Sequence, residues 1–397
     1  MPSSWFLFQR GNRTHDLRVK TQEPRSIPLD HSPEAFNGNS MIESRRQKDF
    51  GMAPTHENVR QLHFEELDES NTVILKTVDK NVNNEDNEVC SDFDIRKYEL
   101  IEFRSRIKWL DCSVQVLLHA VSLYGFFCII TNQPRFYTTV FAIATIYTTG
   151  FGITAGVHRL WSHRAYRARL PLRLLLAALF TATGQRDIYT WALDHRVHHK
   201  YAETVADPHN IHRGFVFAHI GWVVMTPHPA VENRRVALRK TSTDLLADPV
   251  VRLQKKFYVP LFVLLNVVLP VAIPVYCWGE TLLLSFIISF VTRFTVTLNI
   301  AFSVNSFAHL WGNKPYDNFI KSVENKLVSM AALGEGWHNY HHTFPWDYRT
   351  SELGRLNPST TLIDLFAKIG WAYDLKSATT DMVKKRSARC GDGSRVH

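Results

Sequence analysis

An all-α integral membrane fold, with four transmembrane helices in two hairpins, is the class that this 397-residue sequence predicts. Three observations carry that reading. Apolar residues concentrate in four long runs arranged as two pairs. Basic residues flank the runs on one side only. Histidine clusters fall where the chain returns to that same side. The slightly negative average hydropathy conceals this, because roughly the first 105 residues are polar and the middle is not.

The runs are Cys112–Pro134, Phe136–Val157, Phe257–Gly279 and Thr281–Asn313, the last interrupted only by Arg293. About 20 apolar residues cover the roughly 30 Å hydrocarbon core. The predicted spans are therefore about 110–131, 137–157, 257–278 and 281–304. Tight turns at Asn132-Gln133-Pro134-Arg135 and Gly279-Glu280 close the two hairpins. Arg104, Arg106 and Lys108 precede the first span, and Arg159, Arg164, Arg167 and Arg169 follow the second. Arg135 alone lies in the first turn. By the positive-inside rule both termini and the long middle loop are cytosolic. Two shorter apolar stretches, Leu174–Gln185 and Phe215–Met225, cannot span and read as interfacial or cap-packed helices.

Residues 1–95 read as a polar, disordered N-terminal region, residues 96–378 as the membrane domain, and residues 379–397 as a basic tail. Residues 1–51 have the look of a gene-model artefact, and no signal-peptide core is present. Five cysteines form no CxxC pair, which excludes a disulfide scaffold and a Cys-rich metal site. The formal charge of +9 suits a membrane surface or an anionic substrate. No nucleic-acid-binding motif accompanies it.

Of nineteen histidines, three clusters and one at the end of the fourth span carry the chemistry. The first box is His158-Arg-Leu-Trp-Ser-His163, the second His195-Arg-Val-His198-His199, the third His338-Asn-Tyr-His341-His342. His309 ends the fourth span, four residues after Asn305. In the second and third boxes, i, i+3 and i+4 share one helical face. In the first, i and i+5 lie about 140° apart on an ideal helix, which leaves two alternatives: the helix ends there and the pair points one way, or the pair straddles two ions. Neutral imidazoles suit zinc, copper, nickel and iron. Nine exceed the needs of one ion. Zinc has no redox chemistry and HExxH is absent, whereas two irons on nitrogen ligands support oxygen activation. Asp194, Glu335 and Asp207 adjoin the boxes and are candidates to orient the imidazoles.

These boxes, with Asn305-Ser-Phe-Ala-His309-Leu-Trp-Gly312 and Ala206-Asp-Pro-His-Asn210, resemble the animal acyl-CoA desaturases of the stearoyl-CoA Δ9 type. The resemblance covers about residues 96–390. It implies a mushroom-shaped fold whose cytosolic helical cap holds a di-iron site, in the endoplasmic reticulum membrane. It assigns two iron ions (Fe2+) to His158, His163, His195, His198, His199, His309, His338, His341 and His342, with Asn305 reaching a metal through water. The implied reaction uses O2 as co-substrate and electrons from cytochrome b5 and its NADH-dependent reductase. It places a cis double bond, at Δ9, in a long-chain acyl-CoA.

The chain departs from the usual family pattern near the substrate. Arg186 stands for Asn, Leu193 for Arg, Asp111 for Asn, and Thr226-Pro227 for Arg-Lys. The resemblance places Asp111, Arg186, Asp187, Trp191 and Asp194 at the substrate, Ala142 and Ile146 at the closed tunnel end, and Ala301-Phe302 at its kink. Asp111 is expected to repel an anionic head group, leaving the carrier in question. The alternatives are a di-iron lipid hydroxylase or a desaturase of another lipid, an inactive metal-binding membrane protein, and a bis-His haem protein.

Overall fold

A computed structural model describes residues 95–352 and 357–395. The expectations for residues 1–94, including the gene-model artefact, lie outside the described residues. Four helices are long and apolar enough to cross a membrane: Trp109–Ile130, Phe136–Ser162, Tyr258–Trp278 and Leu282–His309. They are the four predicted, in two hairpins. The second and fourth continue beyond the expected ends at 157 and 304. Arg159 does not end the second span, because its guanidinium is buried and reaches Glu335 Oε1 at 2.8 Å. An internally paired charge is no boundary.

The hairpin turns meet on the side away from the cap. The Glu280 carboxylate accepts from Arg135 N and from Thr138 Oγ1, both at 2.7 Å. Gly279 ends the third span at φ 69°, the left-handed geometry of a helix C-terminus.

The cap is built from the segments between and after the hairpins. Helix Leu170–Ala182 buries Leu172, Leu176 and Phe180 and exposes Leu170 and Leu174, as an interfacial helix should. Residues 215–224 are helical as well, and Met225 leaves the helix to bridge Ile107. Asp187 caps helix Ile188–Tyr201 by accepting from Thr190 N. That helix packs with Leu172, Phe180, Leu245 and Val251 in the main cap core. A two-residue antiparallel pairing, Arg167–Ala168 with Ala372–Tyr373, ties the chain after the second span to the C-terminal part. The basic C-terminal segment forms helix Thr380–Cys390, with Val383 packed beside Tyr316, Tyr340 and Phe344.

Candidate metal centre

The first histidine box sits on an unusual helix. From Gly152 to Ser162 the second span winds as a π-helix, and His163 N donates to His158 O at 3.1 Å. In a π-helix residue i+5 stacks nearly over residue i, and such segments recur at functional sites. The helix ends at Ser162 with His163 as its C-cap, so of the two alternatives the spacing left open, His158 and His163 meet at the helix end and do not straddle two groups. Their ring centroids lie 4.9 Å apart, within one group. Gly152 permits the close packing of this segment, since a Cβ there would meet Phe180 N at 2.1 Å.

Two groups of imidazole nitrogens result, each with all its atoms within 4.8 Å of one another. His158, His163, His195, His199 and His341 form the first, and His198, His309, His338 and His342 the second. The expected single face of each box is thus divided. In the second box the i and i+4 pair joins the first group and His198 the second. In the third box the i and i+4 pair joins the second group and His341 the first.

The donor set fits metal ions. His158 and His341 Nε2 lie 2.9 Å apart, His163 and His195 2.8 Å, His199 and His341 3.0 Å, and His338 and His342 3.0 Å. Two nitrogens held in cis at about 2.1 Å from one ion lie about 3 Å apart. His198 Nε2 and both nitrogens of His309 are buried without a hydrogen-bond partner, an arrangement that costs free energy unless an ion takes the lone pairs. Burial first, and the neighbouring imidazoles second, hold His163, His195, His199, His338, His341 and His342 well below the usual histidine range. The rings are therefore neutral, the form that binds a metal. Asn305 makes no such close group but lines the same cavity as His198 and His338.

Carboxylates orient two of the rings. Asp207 Oδ1 accepts from His198 Nδ1 at 2.8 Å, turning His198 Nε2 into the second group. Glu335 Oε2 lies 2.9 Å from His158 Nδ1. Burial raises both acids, but the imidazole beside Asp207 and Arg159 beside Glu335 outweigh it and hold each carboxyl at about 2. Arg159 also donates to Tyr348 O at 2.9 Å and Thr360 Oγ1 at 3.1 Å, so Glu335 hangs on a buried polar frame. Asp194 corrects the expectation. It touches no box imidazole and instead accepts from Arg235 Nε and from Arg186 Nη1, both at 2.6 Å. Arg235, 41 residues along the chain, carries no sequence signal for this contact.

Two cavities meet at the site. An apolar one descends from the histidines between the second and fourth spans, past Ile146, Ala301 and Phe302. Trp191 lies on its wall, stacked on His195 at 5.0 Å, with its Nε1 donating to Gln185 Oε1 at 2.8 Å. A polar cleft opens from the cap, lined by Lys108, Arg213, Thr226, Pro227, His228 and Arg235. Arg186 and Trp222 line both. Four sequence expectations change. Ala142 packs against Cys128, Ile287 and Ile288, a turn beyond the wall residue Ile146. Asp187 is a helix cap. Asp111 lies 2.8 Å from Lys108 Nζ, so its charge is balanced and gives no bare anion to repel a ligand. Leu193 is buried in the cap core, not at the cleft.

The profile of the family described as Fatty acid desaturase matches residues 134–375. The chain is 47% identical over 294 residues to an acyl-CoA Delta-9 desaturase of Acheta domesticus, covering 74% of this chain and 81% of that one. It is 49% identical over 294 residues to the acyl-CoA Delta12-desaturase of the same species, with coverage of 74% and 82%. It is 48% identical over 292 residues to stearoyl-CoA desaturase 5 of Bos taurus, with coverage of 73% and 86%.

Proposed function

The chain belongs to the fatty acid desaturase family, as an oxidoreductase of the acyl-CoA desaturase class, and on that premise we propose that it places a cis double bond at Δ9 of a long-chain saturated acyl-CoA. Its relatives carry Delta-9 and Delta12 names, so bond position is the finer part of this reading. One observation carries it: an apolar cavity passes the two histidine groups and joins a cationic cleft at Arg186 and Trp222. That shape suits a ligand with a long hydrocarbon tail and an anionic head.

The five-histidine group would hold one iron and the four-histidine group the other, with Asn305 facing the second through water. When bound, the two irons supply oxygen activation. The reaction balances as two methylene hydrogens, O2, two electrons and two protons giving an alkene and two waters. Cytochrome b5, fed by its NADH-dependent reductase, is the electron donor of this reading.

The chain's own residues do the rest. Asp207 and Glu335 fix the rotation of His198 and His158, so that Nε2 faces inward. The apolar wall of Ile146, Ala301 and Phe302 excludes water from the reacting methylenes. Arg186 and Arg235 share Asp194, and Arg235 also meets Glu232, so the charges at the junction itself balance; the cleft lining as a whole carries Lys108, Arg186, Arg213 and Arg235 against Asp207 and Glu232, donors that suit a phosphate-bearing head group. The proposed setting is the endoplasmic reticulum membrane, with both termini and the cap cytosolic, a reading that the basic residues flanking the spans support.

Expression in a yeast lacking its own Δ9 desaturase, with fatty-acid profiling, tests the proposal. Restored growth with Δ9 monoenes is expected. A product heavier by one oxygen would indicate hydroxylation, and a double bond at another carbon would displace the Δ9 assignment.

A further inference from the structure

Leu333 has an unusual backbone. Its φ is 56°, and it is the one apolar side chain among the described non-glycine residues with positive φ. A branched residue in this region is a strained exception that surrounding structure must enforce. Here Ser359 Oγ donates to Leu333 O at 2.9 Å and Gly334 N donates to Ser329 O at 2.8 Å. The anchored backbone aims the side chain at the second span. A Cβ added at Gly150 would meet Leu333 Cδ1 at 3.0 Å. Gly150 and Leu333 both line the apolar cavity, so their contact closes its wall.

Outside that wall large apolar side chains are exposed, beside one cation, Lys326. Tyr147, one turn before Gly150, lines the cavity and is 42% exposed. On the short helix Lys326–Ala331, which leads into the Leu333 turn, Leu327 is 78% and Met330 71% exposed. Tyr147 belongs to a helix fit to cross the membrane, so this face is continuous with a lipid-facing surface. A cluster of large exposed apolar side chains beside a span calls for a nonaqueous neighbour.

We infer that the wall between Gly150 and Leu333 is a lateral portal to the bilayer, through which an acyl chain passes between the cavity and the leaflet on the cap side, with the Leu333 side chain as its shutter. The inference rests on the proposed acyl reading of the cavity. A buried hydrocarbon tail then has a route that never crosses water. The backbone stays fixed by Ser359, and a rotamer change at Leu333 is enough to open the wall.

Three variants and one label test this. Gly150→Ala places a methyl against Leu333 and pins it. The ratio of steady-state to first-turnover rate, measured with pre-reduced enzyme and acyl-CoA, should fall about fivefold. Leu333→Gly suits the positive φ and removes the shutter, so it should not lower the ratio. The double variant should recover the wild-type ratio, because the added methyl then meets no side chain. Equal depression of both rates in Gly150→Ala, without recovery in the double variant, would overturn the portal. Independently of activity, a spin label at Met330→Cys in vesicles should collide with oxygen more than with a water-soluble nickel chelate. The opposite preference would place this face in water and also overturn it. If no form of the enzyme yields an unsaturated product, the acyl reading fails, while the label still decides where the face lies.

Discussion

Asp207→Asn isolates one contact at the second histidine group. In the wild type the carboxylate accepts from His198 Nδ1 at 2.8 Å on one oxygen, and from Glu203 N at 3.0 Å on the other. It also accepts from His209 N at 2.9 Å. The amide has the same shape but only one acceptor oxygen. If that oxygen serves His198, the NH2 group faces the Glu203 N–H, donor against donor. If it serves Glu203, His198 loses its anchor. A charge-assisted hydrogen bond contributes about 1.5–3 kcal/mol and a neutral one about 0.5–1.5. The loss of about 1–2.5 kcal/mol falls on the orientation of His198, one of four imidazoles in its group. This corresponds to roughly 5- to 70-fold weaker holding of one ion, overlapping the 10- to 100-fold range usual for groups that orient metal ligands. The assay is elemental analysis of purified enzyme after a graded chelator challenge, together with product formation. Iron should fall from about two toward one per chain at chelator concentrations the wild type withstands, with activity lost in parallel. Two irons per chain and full activity under the same challenge would refute both the orienting role of Asp207 and the assignment of His198.

His341→Ala and His342→Ala, neighbours in sequence, should deplete different ions. Each should abolish desaturation, and metal-sensitive spectroscopy of the residual iron should give two distinct spectra; identical spectra would dissolve the division into two groups. Gly152→Ala drives a methyl into the Phe180 backbone. It should destabilise the protein by about 3 kcal/mol or more, read as a lower midpoint in thermal size-exclusion assays, and an unchanged midpoint would contradict the packing. Ile146→Phe should shift products toward shorter chains because Ile146 forms the cavity wall. Ala142→Tyr should mainly destabilise, since Ala142 is enclosed by Cys128, Ile287 and Ile288; a clean chain-length shift from Ala142→Tyr with normal stability would reverse that order.

The spans and the histidine boxes were legible because both are one-dimensional signals. An apolar run long enough to cross a bilayer is hydrophobic whatever it packs against. What escaped depends on a third dimension or on a change of helix type. The 140° offset of His158 and His163 holds only for an α-helix, and no residue in Gly152–Ser162 announces the wider winding. Arg159 looks like a flanking charge until Glu335, far along the chain, is seen to receive it. Asp111 looks like a repelling anion until Lys108 is found 2.8 Å away. Leu193 looks like a vacated cleft contact, yet it faces Leu245 and Val251 in the cap core. Replacing Leu193 with Arg would bury a charge rather than restore a head-group contact. Thr226 and Pro227, which do line the cleft, are the positions where added cations should lower KM.

The exchange of partners between the boxes has a mechanical consequence. Each of the helices Ile188–Tyr201 and His338–Thr343 contributes to both histidine groups, with i and i+4 to one and i+3 to the other. A rotation of either helix therefore moves both groups at once and in linked directions. The second span adds His158 and His163 to the first group, and the fourth adds His309 to the second. Each histidine group is thus tied to a different hairpin, and the two cap helices couple them. The separation of the two histidine groups is set by the fixed offset of i+3 from i and i+4 on these helices. Among the described residues no carboxylate enters either of the two all-histidine groups. Asp207 and Glu335 stay one bond outward, on the far ring nitrogens of His198 and His158. The acids would thereby strengthen the imidazoles as donors toward bound metals while the inner face of each group stays free of carboxylates.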